Sequence, residues 1–310
     1  MSDSRKLLAS GRLNLSLPVR LAFWALASIL LSVIFFREFW LGLPGMLSLS
    51  QILGQNQASP WGVLVLCFIF LWLQRKRVRD GMQSGPDILF APIGVAITVG
   101  AILLPVTQDY RAFQVLLSSL GVFVILFGKG ARIPIILLVI YGFTISFPLL
   151  VNRFAENAYA QTVIIPLTRV LVVLGYPFAT EGQWLNLISA EGDLISVVVT
   201  VACAGPSTMG VFLSIFALMT LDMPLPPKKS ALLFLFGVAG TWFQNLIRVV
   251  LLMVTGYYLG EKALWTAHYW TIYLLFPLWY LLFVYIYFRQ FGSQKHIATA
   301  LGTANQGVEV

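Results

Sequence analysis

The run Val199-Thr200-Val201-Ala202-Cys203-Ala204-Gly205-Pro206-Ser207-Thr208-Met209-Gly210 carries an apolar, β-branched segment into a cysteine and then into the start of a helix. Pro206 suits a first helical turn, because its missing N–H would be unpaired there and its φ is already helical. The apolar residues that follow, to Leu221, read as a helix entering a bilayer. Cys203 then stands at a membrane surface just before a helix N-terminus. There the positive end of the helix dipole favours an anion and free N–H groups can hold an oxyanion. A small packed hydrophobe fits the same position, so the decision rests on the rest of the chain.

Outside that run, the 310 residues are 59% hydrophobic and only 10% charged, against about 25% charged in soluble domains. The chain is therefore expected to be an integral membrane protein, built as a single membrane domain over residues 1–310. Its net charge of +8 does not point to nucleic acid, since the bases lie in small groups between apolar runs, where topology explains them. Cys67 sits inside an apolar run and Cys203 at the edge of one, so no disulfide framework is implied. The N-terminal bases are accompanied by Asp3, and no small-residue cleavage site follows the run from Leu21. That run reads as a retained span.

The hydropathy pattern predicts an all-α polytopic fold with about eight transmembrane helices. Residues 1–20 form a cytoplasmic N-terminus, and five spans occupy 21–151: Leu21–Phe36, Pro60–Leu73, Ile88–Val106, Ala112–Phe127 and Ile133–Val151. The uncharged Leu41–Ser59 linker suits an interfacial loop, and Arg75-Lys76-Arg77-Val78-Arg79 is a strong cytoplasmic stop signal. Residues 152–205 are expected outside. Ala158–Gly175, interrupted by Pro166 and Arg169, reads as an interfacial helix or a broken span. Gln183–Ala190 and Asp193–Val201 then flank Glu191-Gly192 as a short β-hairpin. Three more spans fill 206–288, from about Pro206 to Leu221, Ala231 to Thr255 and Leu264 to Phe288, before a cytoplasmic tail at 289–310.

The bases test this threading. Inner loops would hold Arg5, Lys6, Arg12, Arg20, Arg75, Lys76, Arg77, Arg79, Lys129, Arg132, Lys228, Lys229, Arg289 and Lys295. The outer side would hold only Arg37, Arg111, Arg153, Arg169 and Lys262. This is the positive-inside distribution of a plasma membrane protein with both termini in the cytoplasm. Passing Ala158–Gly175 through the bilayer would put Lys228 and Lys229 outside and worsen the agreement, so that segment is kept external.

Topology then brings three reactive side chains to one depth. Cys203 precedes the outer end of the sixth span, Arg248 lies about two turns below the outer end of the seventh, and His268 about one turn into the eighth. A nucleophile, a permanent cation and an imidazole base share one layer on the outer face. An intramembrane arginine costs about 2.5 kcal/mol or more and marks a functional site by default, although snorkelling to the interface is the plain alternative. Asn245, one turn earlier, suits orienting the guanidinium or a substrate carbonyl, or an ordinary interhelical hydrogen bond. Ser207, in the first turn after Cys203, joins it as a substrate-orienting candidate. The two histidines and two cysteines are not spaced as a metal site, and no phosphate-binding glycine loop follows a strand. Neither metal nor cofactor is expected.

Ala202-Cys203-Ala204-Gly205, Asn245-Leu246-Ile247-Arg248 and Ala267-His268 resemble the signature blocks of the exosortase/archaeosortase family, multi-pass membrane cysteine transpeptidases. The resemblance covers roughly Ala158–Phe288, and Ala204 stands where many members have serine. It implies catalytic roles for Cys203, Arg248 and His268. The implied substrates are secreted proteins carrying a C-terminal sorting signal: a recognition motif, a transmembrane helix and a basic cluster. The implied acceptor is an amine, a lipid-linked group or water. The hairpin before Cys203 is positioned to pair with such a motif by strand addition. A non-enzymatic transporter or export assembly factor, with Arg248 contacting an anionic substrate, is the competing reading.

Overall fold

The computed structural model describes residues 16–46, 58–83, 86, 89–104 and 110–306. Arg5, Lys6 and Arg12, most of the Leu41–Ser59 linker, Asp109 and the Lys295 side chain lie outside the described features. The helices are α1 (Leu17–Phe35), α2 (Arg37–Met46), α3 (Ala58–Leu73), α4 (Arg75–Gln83), α5 (Ala91–Leu103), α6 (Arg111–Phe127), α7 (Arg132–Val173), α8 (Pro206–Asp222) and α9 (Pro227–Gln306). Strands β1 (Phe178–Glu181), β2 (Trp184–Ile188) and β3 (Leu194–Val198) stand between α7 and α8.

Among the described residues, three helical stretches are long and apolar enough to cross a membrane: Leu17–Phe35, Arg111–Val173 and Pro227–Gly292. Trp61–Leu73, Ala91–Leu103 and Pro206–Asp222 are apolar but shorter. The two longest stretches are not single straight rods. A 3-10 turn at Gly128–Ala131 separates α6 from α7, α7 is kinked at Ala155 (φ −141°, ψ 21°), and α9 breaks at Gly260 (φ 79°, ψ 177°). Such a φ belongs to the left-handed half of the map, which glycine enters without a Cβ penalty. The break falls where the sequence calls for a turn between its seventh and eighth spans, and the Ala155 kink begins the segment expected to change character after Arg153.

Two compact units divide the chain, one formed by Met1–Leu53 and Leu64–Gly142, the other by Gly54–Val63 and Phe143–Val310. In the first, Val78, Leu120, Phe123, Val124, Phe127 and Ala131 form a buried cluster. Arg20, expected in the N-terminal tail, lies inside α1 and is buried. Its guanidinium donates to the carbonyls of Leu126 (3.4 Å) and Met82 (3.1 Å) near the ends of α6 and α4. A cation on these final carbonyls satisfies groups that the helices leave open.

In the second unit the expected hairpin is present with an additional strand. The sheet order is β1-β2-β3, all antiparallel, with Phe178 opposite Leu187 and Trp184 opposite Val198. The connection between β2 and β3 is wider than a two-residue Glu191-Gly192 turn. Ser189 N–H donates to Asp193 O at 2.8 Å, and Gly192, at φ 93°, donates back to Ser189 O at 3.0 Å. Alternation divides the sheet: Leu185, Leu187, Ile195 and Val197 are buried, whereas Trp184, Ile188 and Leu194 are exposed. The buried set joins Val163, Leu167 and Leu171 of α7 with Leu246, Val249, Leu252, Met253 and Leu264 of α9 in one core.

A second core lies among α8 and the two halves of α9, around Phe212, Phe283 and Tyr287. Lipid is as apolar as leucine, so such helices associate through close contact and hydrogen bonds. Gly237 lets Phe212 and Phe283 approach the α9 backbone, and a Cβ there would come within 2.8 Å of Phe283 Cε2 and nearer still to Phe212. Trp279 Nε1–H donates to Thr241 Oγ1 (3.0 Å), and Tyr287 O–H to Met223 O (2.7 Å). Gly237→Val is expected to overpack this core and cost about 1–3 kcal/mol, read as a lower unfolding midpoint in detergent. Gly100→Ala, with nothing within 4 Å of the new carbon, should leave the midpoint unchanged or slightly raised.

Candidate active site

After β3 the chain makes a tight turn. Thr200 O accepts from Cys203 N–H at 3.0 Å and from Ala204 N–H at 3.2 Å. The turn ends at Gly205, the N-cap of α8, whose φ of 84° aims the chain into the helix that Pro206 opens. Cys203 thus stands just before the helix, as the sequence leads one to expect. The thiol is partly exposed, and Thr200 Oγ1–H points to Cys203 Sγ at 3.8 Å.

The turn is fastened to α9 by Asn245, whose Nδ2–H donates to Cys203 O at 3.0 Å. Asn245 therefore orients the cysteine backbone, and no hydrogen bond joins it to the Arg248 guanidinium. Gly205 is required for this approach: a Cβ there would stand 2.9 Å from Asn245 Cγ and 3.0 Å from Thr208 Oγ1. One turn further along α9, Arg248 is 4% exposed. Its Nη2 lies 3.4 Å from Nδ1 and 3.3 Å from Nε2 of His268. Arginine has only donors, so in any hydrogen bond between the two the imidazole is the acceptor. Cys203 is joined to this group through Asn245, one turn before Arg248 on the same helix. Trp265 meets the His268 ring edge-on, with centroids 5.6 Å apart.

The structure thus links Cys203, Asn245, Arg248 and His268 through the turn before α8 and the two segments of α9 on either side of Gly260. Ser207 is partly exposed in the first turn of α8, and no hydrogen bond ties it to the other four. Two further polar residues lie on the same turn and helix. Thr200 was not singled out by the sequence, although a hydroxyl three residues before a turn cysteine is a local signal. Gln244 is buried, and neither its Oε1 nor its Nε2 has a hydrogen-bond partner among the described residues. Asn245 Oδ1 and Arg248 Nε are likewise unpartnered. The detectable signal was a Gln-Asn pair inside an apolar span, where unsatisfied polar groups are expensive.

Against known families, residues 53–285 match the family described as transmembrane exosortase (Exosortase_EpsH). The chain belongs to the transmembrane exosortase family. The match begins well before Ala158, so the family likeness is not confined to the C-terminal half, as the signature blocks alone suggest. Exosortases are membrane cysteine transpeptidases as a family, and their membership agrees with the apolar helices of this chain. The curated proteins and solved structures compared with it gave no match.

Gly205→Ala is expected to strain the left-handed N-cap by about 1–2 kcal/mol and to displace Asn245. Asn245→Ala should leave the Cys203 carbonyl without its donor, costing about 1–3 kcal/mol. Both exosortase variants should show lower unfolding midpoints in detergent and an altered rate of Cys203 alkylation by a membrane-impermeant maleimide.

Proposed function

We propose that this exosortase is a cysteine endopeptidase and transpeptidase that removes the C-terminal sorting signal of secreted proteins at the outer face of the plasma membrane. The observation that carries the reading is the buried Arg248, hydrogen-bonded to His268 and one helical turn from Asn245, which holds the Cys203 carbonyl. The three side chains supply the parts of an acyl transfer: a nucleophile, a base and a fixed positive charge.

In the proposed reaction the Cys203 thiol proton passes to His268, and the sulfur attacks the scissile carbonyl carbon. Arg248 stabilises the developing oxyanion or the thiolate. The C–N bond then breaks, His268 returns the proton to the departing amine, and a thioester remains on Cys203. An acceptor amine, a lipid-linked nucleophile or water then attacks the thioester. Its proton passes to His268 and back to sulfur as the thiol is restored. Asn245 holds the nucleophile's backbone in place throughout, and Ser207 lines the approach of the substrate.

This reading includes eight spans with both termini in the cytoplasm, residues 152–205 outside, and the site at the outer end of the last three helices. The substrates are membrane-anchored proteins with a recognition motif, a transmembrane helix and a basic cluster. A cysteine at the bilayer surface is level with the end of such a helix.

The competing reading, a transporter or assembly factor, draws on the same buried arginine with its unpartnered Nε, which would contact an anionic cargo. The two separate in membranes that co-express a tail-anchored precursor. Cys203→Ala and Arg248→Ala should both leave full-length precursor, and His268→Ala should slow processing by about 10²–10⁴-fold. Arg248→Lys should not restore the rate, since lysine lacks the planar fork. Mass spectrometry of the precursor's new C-terminus gives the cleavage point. Processing that survives Cys203→Ala would remove the peptidase reading, and loss of function with Arg248→Ala alone would favour the transporter.

A further inference from the structure

The sheet before Cys203 has an open side. In an antiparallel ladder, alternate residues turn their N–H and C=O groups toward the neighbouring strand and the others turn away. Val199 N–H donates to Gln183 O (2.9 Å) and Ser189 N–H to Asp193 O (2.8 Å), which fixes the phase. With Leu185 opposite Val197 and Leu187 opposite Ile195, the odd-numbered residues of β3 face β2. Leu194, Ser196 and Val198 present their backbone groups to the other side. β3 is the last strand in the order β1-β2-β3, and no described residue hydrogen-bonds those groups. Leu194 and Ser196 are exposed.

Proteins normally guard such an edge with lysine, proline or a bulge. Leu194-Ile195-Ser196-Val197-Val198 has none of these and is built of good strand formers. An unguarded edge of this kind is a template for another extended chain.

The strand's direction identifies the occupant. Ala190 N–H donates to Tyr257 O at 2.9 Å, fastening the turn before β3 to the end of the first α9 segment. Asn245 fastens Cys203 to the same helix. The two anchor points are about 18 Å apart along the helix axis at 1.5 Å per residue, and β3 extends over about 17 Å. β3 therefore runs from the Tyr257 level to the Asn245 level, and its open edge leads directly to the thiol. A chain lying parallel to β3 would deliver its C-terminal end to Cys203.

We propose that the open edge of β3 binds the extended segment of the protein substrate immediately preceding the scissile bond, as a fourth strand parallel to β3. This rests on the peptidase reading. Backbone groups of Leu194, Ser196 and Val198 hold the segment. Its side chains on the exposed face lie beside Leu194, Ser196 and Val198, so small or apolar residues suit that face. Pairing also keeps the substrate extended, the form in which a peptide carbonyl is open to attack.

Ser196→Pro removes one outward N–H and adds a ring on the open edge without breaking the β2–β3 ladder. Thr180→Pro is the matched control, because Thr180 faces outward on the opposite edge of the sheet. Ser196→Pro should lower the processing rate about fivefold to tenfold, with Thr180→Pro within about twofold of the unaltered chain. Processing by Ser196→Pro equal to Thr180→Pro overturns the proposal. If Ser196→Pro does not accumulate in the membrane, a photo-crosslinking amino acid at position 196 in the Cys203→Ala chain decides. Capture of substrate residues just before the cleavage point supports the edge site, and capture no greater than from position 180 overturns it. Processing that persists in Cys203→Ala alone would instead defeat the peptidase reading, so the two failures are distinguishable.

Discussion

The hydrogen bond from Asn245 to the Cys203 carbonyl is the constraint on which the site depends. A carbonyl in a tight turn has given up its place in any helix or ladder, and leaving it without a donor costs free energy. Asn245 supplies the donor from the helix that also carries Arg248. One contact therefore satisfies the backbone, joins the turn to α9 and sets the distance between the cysteine and the guanidinium. Gly205 is its counterpart, since any side chain there would displace the Asn245 amide.

The sheet acts as a brace for this turn. Its buried face contributes Leu185, Leu187, Ile195 and Val197 to the same core as α7 and α9, and Ala190 bonds Tyr257 at the far end. Fastening at both ends holds β3 along the helix, so the cysteine is reached by a strand of fixed length and direction. The rest of α9 is shaped by small residues that admit aromatic rings, as Gly237 admits Phe212 and Phe283. The second α9 segment then returns beside the first after Gly260, which brings His268 back to Arg248.

Much of this is legible along the chain because its signals are local. Hydropathy marks the apolar helices, Pro206 marks the start of α8, and β-prone runs around Gly192 mark β2 and β3. Arg248 is conspicuous because a charge in an apolar run needs a reason. Other features are pairwise and leave a weaker trace. β1 is four residues long with an exposed pattern, too short to show a period of two. The partner of Asn245 is a carbonyl 42 residues away, which no spacing rule reaches. Arg20 looks like a tail base until Met82 and Leu126 offer it carbonyls.

The sequence by itself determined that the chain is a helical membrane protein, which residues carry reactive groups, and which family's blocks they resemble. These follow from side-chain chemistry and from periodicity, both properties of short stretches. Only the tertiary structure decided that His268 and Arg248 share a hydrogen bond, that Asn245 serves the cysteine and not the arginine, and that the strand leading to Cys203 has an unpaired edge. Each is a relation between segments far apart in the chain, created by packing, and packing depends on shape complementarity that a linear pattern does not encode.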